Sequence, residues 1–164
     1  MSIADKLLPE FDQEMMITRR VIERMPDDNP EWKPHPKSFT IAHLAQLLAG
    51  MPRWIGQTLT STELDLASVG GYSIEKTETL LKTFDENVRM SRDAIVAAKD
   101  SDYDVPWSLK MRENVLFTLP RGEVVRQHIN HLCHHRGQMT VYLRLLDVPV
   151  PSVYGPTADE PWQT

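Results

Sequence analysis

An all-α four-helix bundle is the architecture this sequence predicts, on three observations. Four stretches carry apolar residues at three- and four-residue steps. Prolines cluster between those stretches. Almost no segment alternates apolar and polar residues as a half-buried strand does. The chain has 164 residues, 41% of them hydrophobic. That suits one domain, residues 1–164, with a real core and an extended tail over 148–164.

The first helix starts between Ser2 and Pro9 and runs to Met25. Leu7, Leu8, Phe11, Met15, Thr18, Val21, Ile22 and Met25 make its stripe, and Pro26 stops it. Pro30, Pro34 and Pro36 then force an extended linker. Ser38 or Thr40 can cap the second helix, whose stripe is Ile41, Leu44, Leu48, Met51 and Ile55. Pro52 falls inside that pattern and should kink or end the helix. Ser61 to Tyr72 reads as a loop ending near Gly70-Gly71.

Ser73 is the expected cap of the third helix, with Leu80, Leu81, Phe84, Val88, Ile95 and Ala98 on its stripe. Between Asp100 and Pro120 the pattern is mixed, and Val115-Leu116-Phe117 reads as a short strand or a covering loop. The fourth helix spans about Gly122 to Asp147. Four further prolines follow, so the tail should lie extended on the surface, held by Tyr154 and Trp162.

Composition removes several function classes. With 18 basic against 23 acidic residues the formal charge is −5, a poor match to duplex nucleic acid. The longest uncharged run, Ser38 to Pro52, is too short to cross a bilayer. The acidic N-terminus is unlike a signal peptide, and the single Cys133 forbids an intrachain disulfide. A cytoplasmic address fits these features. No glycine-rich phosphate loop, serine nucleophile elbow or cysteine-pair zinc motif occurs.

The informative stretch is the fourth helix. At ~100° per residue, Val124, His128, His131, Leu132, His135, Gln138, Met139, Tyr142 and Leu146 share one arc, while His134, Arg136, Thr140 and Arg144 lie outside it. Polar rings in a core-facing stripe must be satisfied, because an unpaired buried polar group costs roughly 1–3 kcal/mol. His131 and His135 are four apart, the spacing at which two imidazoles on one helix can chelate one divalent ion. The same spacing also suits two hydrogen-bonded core histidines. His128 reads as a rim residue, and Cys133 as a bystander thiol facing away from the pair. His43, at the edge of the second stripe, and the linker residue His35 are the candidate third ligands. Gln138 and Tyr142 read as hydrogen-bonding partners, with Tyr142 able to donate a proton.

The segment NHLCHHRGQMTVYLRLLDVPVPSVYGPTADE, from Asn130 to Glu160, resembles the C-terminal signature of the DinB-like (damage-inducible) superfamily. LLPEFDQE, the linker WKPHPKSFT and the PRW after the second helix extend that resemblance over nearly the whole chain. It implies a four-helix bundle, often a homodimer, with a divalent metal (nickel or zinc) held by three histidines. Two map onto His131 and His135. The third normally stands at the end of an L-A-x-H pattern, which here reads Leu44-Ala45-Gln46-Leu47, and the nearest substitute is His43. The resemblance further implies a metal-dependent transferase acting with a low-molecular-weight thiol, Gln138 and Tyr142 orienting the substrate, or a metal-dependent hydrolase. The alternative is a non-catalytic, stress-associated dimeric bundle with a degenerate metal site.

Overall fold

The computed structural model describes residues 1–162. Its helices are α1 (Ile3–Ile22), α2 (Ile41–Thr60), α3 (Thr77–Ala97) and α4 (Arg121–Leu145). Three strands accompany them: β1 (Glu63–Asp65), β2 (Pro106–Met111) and β3 (Asn114–Pro120). The architecture is therefore mostly helical with a small sheet, which corrects the purely helical expectation. β1 pairs parallel to β2, and β2 antiparallel to β3. Val115-Leu116-Phe117 is the short strand of the two readings the sequence left open, but its pairing with β2 escaped because the two-residue turn is Arg112-Glu113, not an Asn-Gly or Asp-Gly pair. Arg112 adopts φ 57°, and its N–H donates to Asp65 Oδ1 at 2.9 Å. A carboxylate from the β1 segment thus holds a turn that lacks local turn chemistry.

Helix boundaries follow their caps. Ser2 and Asp5 form a reciprocal capping box at α1, and the Thr40 hydroxyl accepts from His43 N at 3.2 Å at the start of α2. α1 ends at Ile22, short of Met25, which closes a turn by donating to the Ile22 carbonyl. Ser73 does not cap α3. It bonds to Gln46, and the Thr77 N–H is taken instead by Asp27 from the first linker at 2.8 Å. The cap is long-range, so local sequence could not reveal it.

α2 forms the centre of the molecule, packing most extensively on α3 and α4. It continues through Pro52 to Thr60. α3 donates to carbonyls in the turns on either side of the proline. Asn87 Nδ2 donates to the Ala49 carbonyl at 2.9 Å, and Ser91 Oγ donates to the Pro52 carbonyl at 2.5 Å. The same hydroxyl accepts from Gly56 N at 3.0 Å. A Cβ at Gly56 would stand 2.7 Å from Ser91 Oγ and 3.0 Å from Ser91 Cα. Gly56→Ala should therefore cost about 1–3 kcal/mol, read as a lower urea midpoint. An unchanged midpoint would mean that the two helices part without penalty.

The tail crosses α1 and α4 as a strap. Asp159 pairs with Arg144 and accepts from Val150 N, while Glu160 pairs with Arg20 and accepts from Ser152 N. Trp162 is 71% exposed and does not anchor it. The last two residues of the expected tail lie outside the described residues. Among the described residues no helix is long and apolar enough to cross a membrane.

Candidate metal centre

Four-residue spacing on α4 brings His131 and His135 together, with their Nε2 atoms 2.8 Å apart. Two imidazoles sharing one tetrahedral ion through bonds of about 2.0–2.1 Å would hold their nitrogens about 3.3 Å apart, so these rings need to open by about half an ångström to admit one. The ring beyond is oriented as well. His135 Nδ1 lies 2.7 Å from Gln138 Oε1, so Nδ1–H donates to the amide oxygen and Nε2 carries the lone pair. His131 Nε2–H then donates to His135 Nε2.

The two rings differ in exposure. His135 is 8% exposed, whereas His131 and Gln138 face solvent. His135 thus keeps the place in the buried stripe that helical periodicity gave it, whereas His131 and Gln138 do not: the pair sits at the rim of the bundle. The pKa of each histidine is lowered, first by desolvation and then by neighbouring histidines, His135 and His134 for His131 and His134 for His135. For His135 the Gln138 hydrogen bond opposes the drop. Both shifts favour the neutral imidazole, the form that metal ligation requires.

Aromatic groups wall the pair. Trp54 of α2 stacks on His131 with centroids 6.2 Å apart, and Phe39 lies 6.5 Å from His135. His128 sits between Trp54 at 5.8 Å and Trp107 at 6.3 Å. Its buried Nε2 has no partner, and burial pushes its pKa down to about 4.

The structure does not bring the other candidates to this pair. The His43 ring is stacked between Phe39 at 4.3 Å and Tyr72 at 4.5 Å. His35 is exposed, its Nδ1 accepting from Lys37 N. Leu47 lies half-buried on the same face of α2 as His43 and Trp54. Tyr142 is buried with its hydroxyl donating to the Phe39 carbonyl at 3.3 Å and its ring edge-on to Trp32. That contact positions Phe39. Among the described residues no three His, Cys, Asp or Glu side chains are grouped as metal ligands.

Helical periodicity missed one polar cluster altogether. Arg136, placed outside the apolar arc, is 1% exposed. Its Nη1 lies 2.6 Å from Glu14 Oε2, and its Nη2 donates to the Tyr154 hydroxyl at 2.6 Å. Tyr154 in turn donates to Glu14. Cys133 is a member of this network, donating to Glu14 Oε2 at 3.2 Å, and burial raises its pKa, leaving a weakly nucleophilic thiol. The signal was faint but present. Val125, Ile129, Leu132, Arg136, Met139 and Leu143 are all buried at alternating three- and four-residue steps, a second stripe containing one cation.

Comparison with known proteins gives a consistent picture. The DinB family model matches residues 1–164. The uncharacterized YrdA protein of Bacillus subtilis (strain 168) is 24% identical over 158 residues, covering 95% of this chain and 90% of that protein. A DinB-like protein from Bacillus cereus ATCC 10987 superposes with a TM-score of 0.75 at 20% identity, covering 93% of this chain and 98% of its own. The DinB-like YjoA protein of B. subtilis gives 0.72 at 13% identity, covering 90% and 97%. At these identities the two structures speak to the fold alone.

Proposed function

The chain belongs to the DinB family, and from that premise we propose that it binds a divalent metal, nickel or zinc, on the His131–His135 pair and presents it to a small-molecule ligand. The observation that carries this reading is the convergence of the two Nε2 atoms at 2.8 Å with the outer nitrogen of His135 fixed by Gln138. The donor set fits two coordination positions. The third family position is the apolar Leu47, and His43 is engaged by Phe39 and Tyr72. Affinity should therefore fall well below that of a three-histidine site.

A bound ion at this rim supplies one chemistry: it lowers the pKa of a thiol or water that it holds. The chain's own residues do the remainder. Gln138 keeps the proton on His135 Nδ1, so Nε2 stays a donor of electrons. The exposed flank of His131 leaves an approach for a small ligand, and a thiol transferase is the reaction class we favour over a hydrolase because a low-molecular-weight thiol is the co-substrate the family resemblance implies. Tyr142, through the Phe39 carbonyl, acts as a positioning residue. A homodimer in the cytoplasm completes the proposal.

The runner-up is a non-catalytic bundle with a degenerate site. It is favoured by the hydrogen bond within the pair, which already satisfies both facing nitrogens without an ion. Calorimetric titration of tag-free protein with zinc or nickel separates the two. We expect one ion per chain, lost in the His131→Ala, His135→Ala double variant. Absence of saturable binding, or binding that the double variant retains, refutes metal binding at this pair and leaves the runner-up.

A further inference from the structure

A cleft of about 650 Å³ opens between α2, α3 and the segment 61–76. Small-molecule sites typically measure about 300–1,000 Å³. Its floor is one face of α2, where Leu47, Gly50 and Trp54 follow one another at helical spacing. Its far wall is fastened in place. Gln46 Nε2 donates to Ser73 Oγ at 2.9 Å, and Ser73 N donates back to Gln46 Oε1 at 3.3 Å. Tyr72 stacks on His43, with its hydroxyl 3.3 Å from Thr40 Oγ1.

Two features of the cleft have no structural occupation. The first is Gly50. A glycine inside a helix destabilises it by roughly 0.5–1 kcal/mol relative to alanine. Gly56 has a reason in Ser91, but a Cβ at Gly50 would meet nothing within 4 Å. The space over this turn of backbone is open cleft. The second is Arg53. It lines the cleft, and among the described residues no carboxylate stands within ion-pair distance of it. The carboxylate lining the same cleft, Glu75, already accepts from Ser73 Oγ at 3.0 Å.

We propose that this cleft binds a small organic carboxylate whose apolar body lies over Gly50 against Trp54 and Leu80, with its anionic head on Arg53. A flat guanidinium is suited to a carboxylate, which it can engage through two parallel N–H donors. Apolar Leu47, Leu64 and Leu80 favour a hydrocarbon or aromatic body over a sugar. No metal takes part, so this assignment stands whether or not the histidine pair holds one.

The test uses 4-phenylbutyrate and its uncharged amide, 4-phenylbutyramide, as probes, titrated into the full chain in EDTA with Trp fluorescence and NMR shifts as readouts. The carboxylate should bind saturably and about threefold to fivefold more tightly than the amide, the worth of one charged contact on an exposed guanidinium. Arg53→Gln should remove that preference while leaving amide binding unchanged. Gly50→Leu should fill the floor and abolish binding of both probes, with the far-UV dichroism and thermal midpoint maintained. Equal binding of acid and amide, or retained binding in a folded Gly50→Leu variant, overturns the proposal. So does the absence of saturable carboxylate binding at millimolar concentration. Running the series in EDTA keeps this outcome separate from that of the metal titration.

Discussion

An Arg136→Ala variant should lose about 3–5 kcal/mol of stability, with a thermal midpoint lower by roughly 10 °C for a domain of this size. Arg136 is 1% exposed and Glu14 is 7% exposed, so truncating the cation strands a carboxylate where water reaches it poorly. The loss spreads beyond the pair. Nη1 also donates to the Glu14 carbonyl and to Thr18 Oγ1, each at 3.2 Å, which ties α4 to two turns of α1. Nη2 holds the Tyr154 hydroxyl, one of the contacts that dock the tail. Tyr154→Phe, which keeps the ring beside the guanidinium, should cost only about 1 kcal/mol. Removing both charges together, as in Glu14→Met with Arg136→Met, should recover much of the loss, since no unpaired ion remains. Urea titrations of the four proteins check this ordering. An Arg136→Ala variant within about 1 kcal/mol of wild type would show that the tail strap does not depend on the pair.

The same network shows where sequence reading succeeds and where it stops. Apolar spacing located all four helices, because Phe11, Leu44, Leu48, Phe84 and Leu132 obey the helical period and are all buried. Thr40 could be proposed as a cap because capping is local. What escaped was held together across the chain. Asp65 stabilises the Arg112 turn from 47 residues away, and Asp27 caps α3 from 50 residues away. Arg136 fell outside the apolar arc at ~100° per residue, and the acid it is buried against lies on α1. Much of the distinctive tail signature has a mechanical explanation of this kind. Tyr154, Asp159 and Glu160 bind Arg136, Arg144 and Arg20, so those positions fasten the strap. The histidine spacing was legible in full, and the depth of the site was not. A single 3.6-residue period cannot tell a rim from a core, and only the packing of Trp54 and Phe39 places His135 inside and His131 at the edge.

Leu47→His should raise metal affinity on the order of 100-fold, the gain expected when a third imidazole joins a two-imidazole chelate. Position 47 lies one turn beyond His43 on the α2 face that carries Trp54, whose ring stacks on His131. It is also the position where the family resemblance expects its third ligand. Without metal the variant should be less stable than wild type by about 1–2 kcal/mol, because a half-buried leucine has given way to a polar ring. With metal in excess the order should invert, since an ion that binds only the folded chain stabilises it by mass action. Two readouts therefore move in opposite directions: the thermal midpoint falls in EDTA and rises with zinc or nickel. Chelator competition measures the affinity itself. The gain must vanish when His131 and His135 are both alanine, because a lone imidazole on α2 is a weak ligand. If Leu47→His binds no more tightly than wild type, position 47 does not point at the pair, and the weak affinity expected of the native site has some other origin than its leucine.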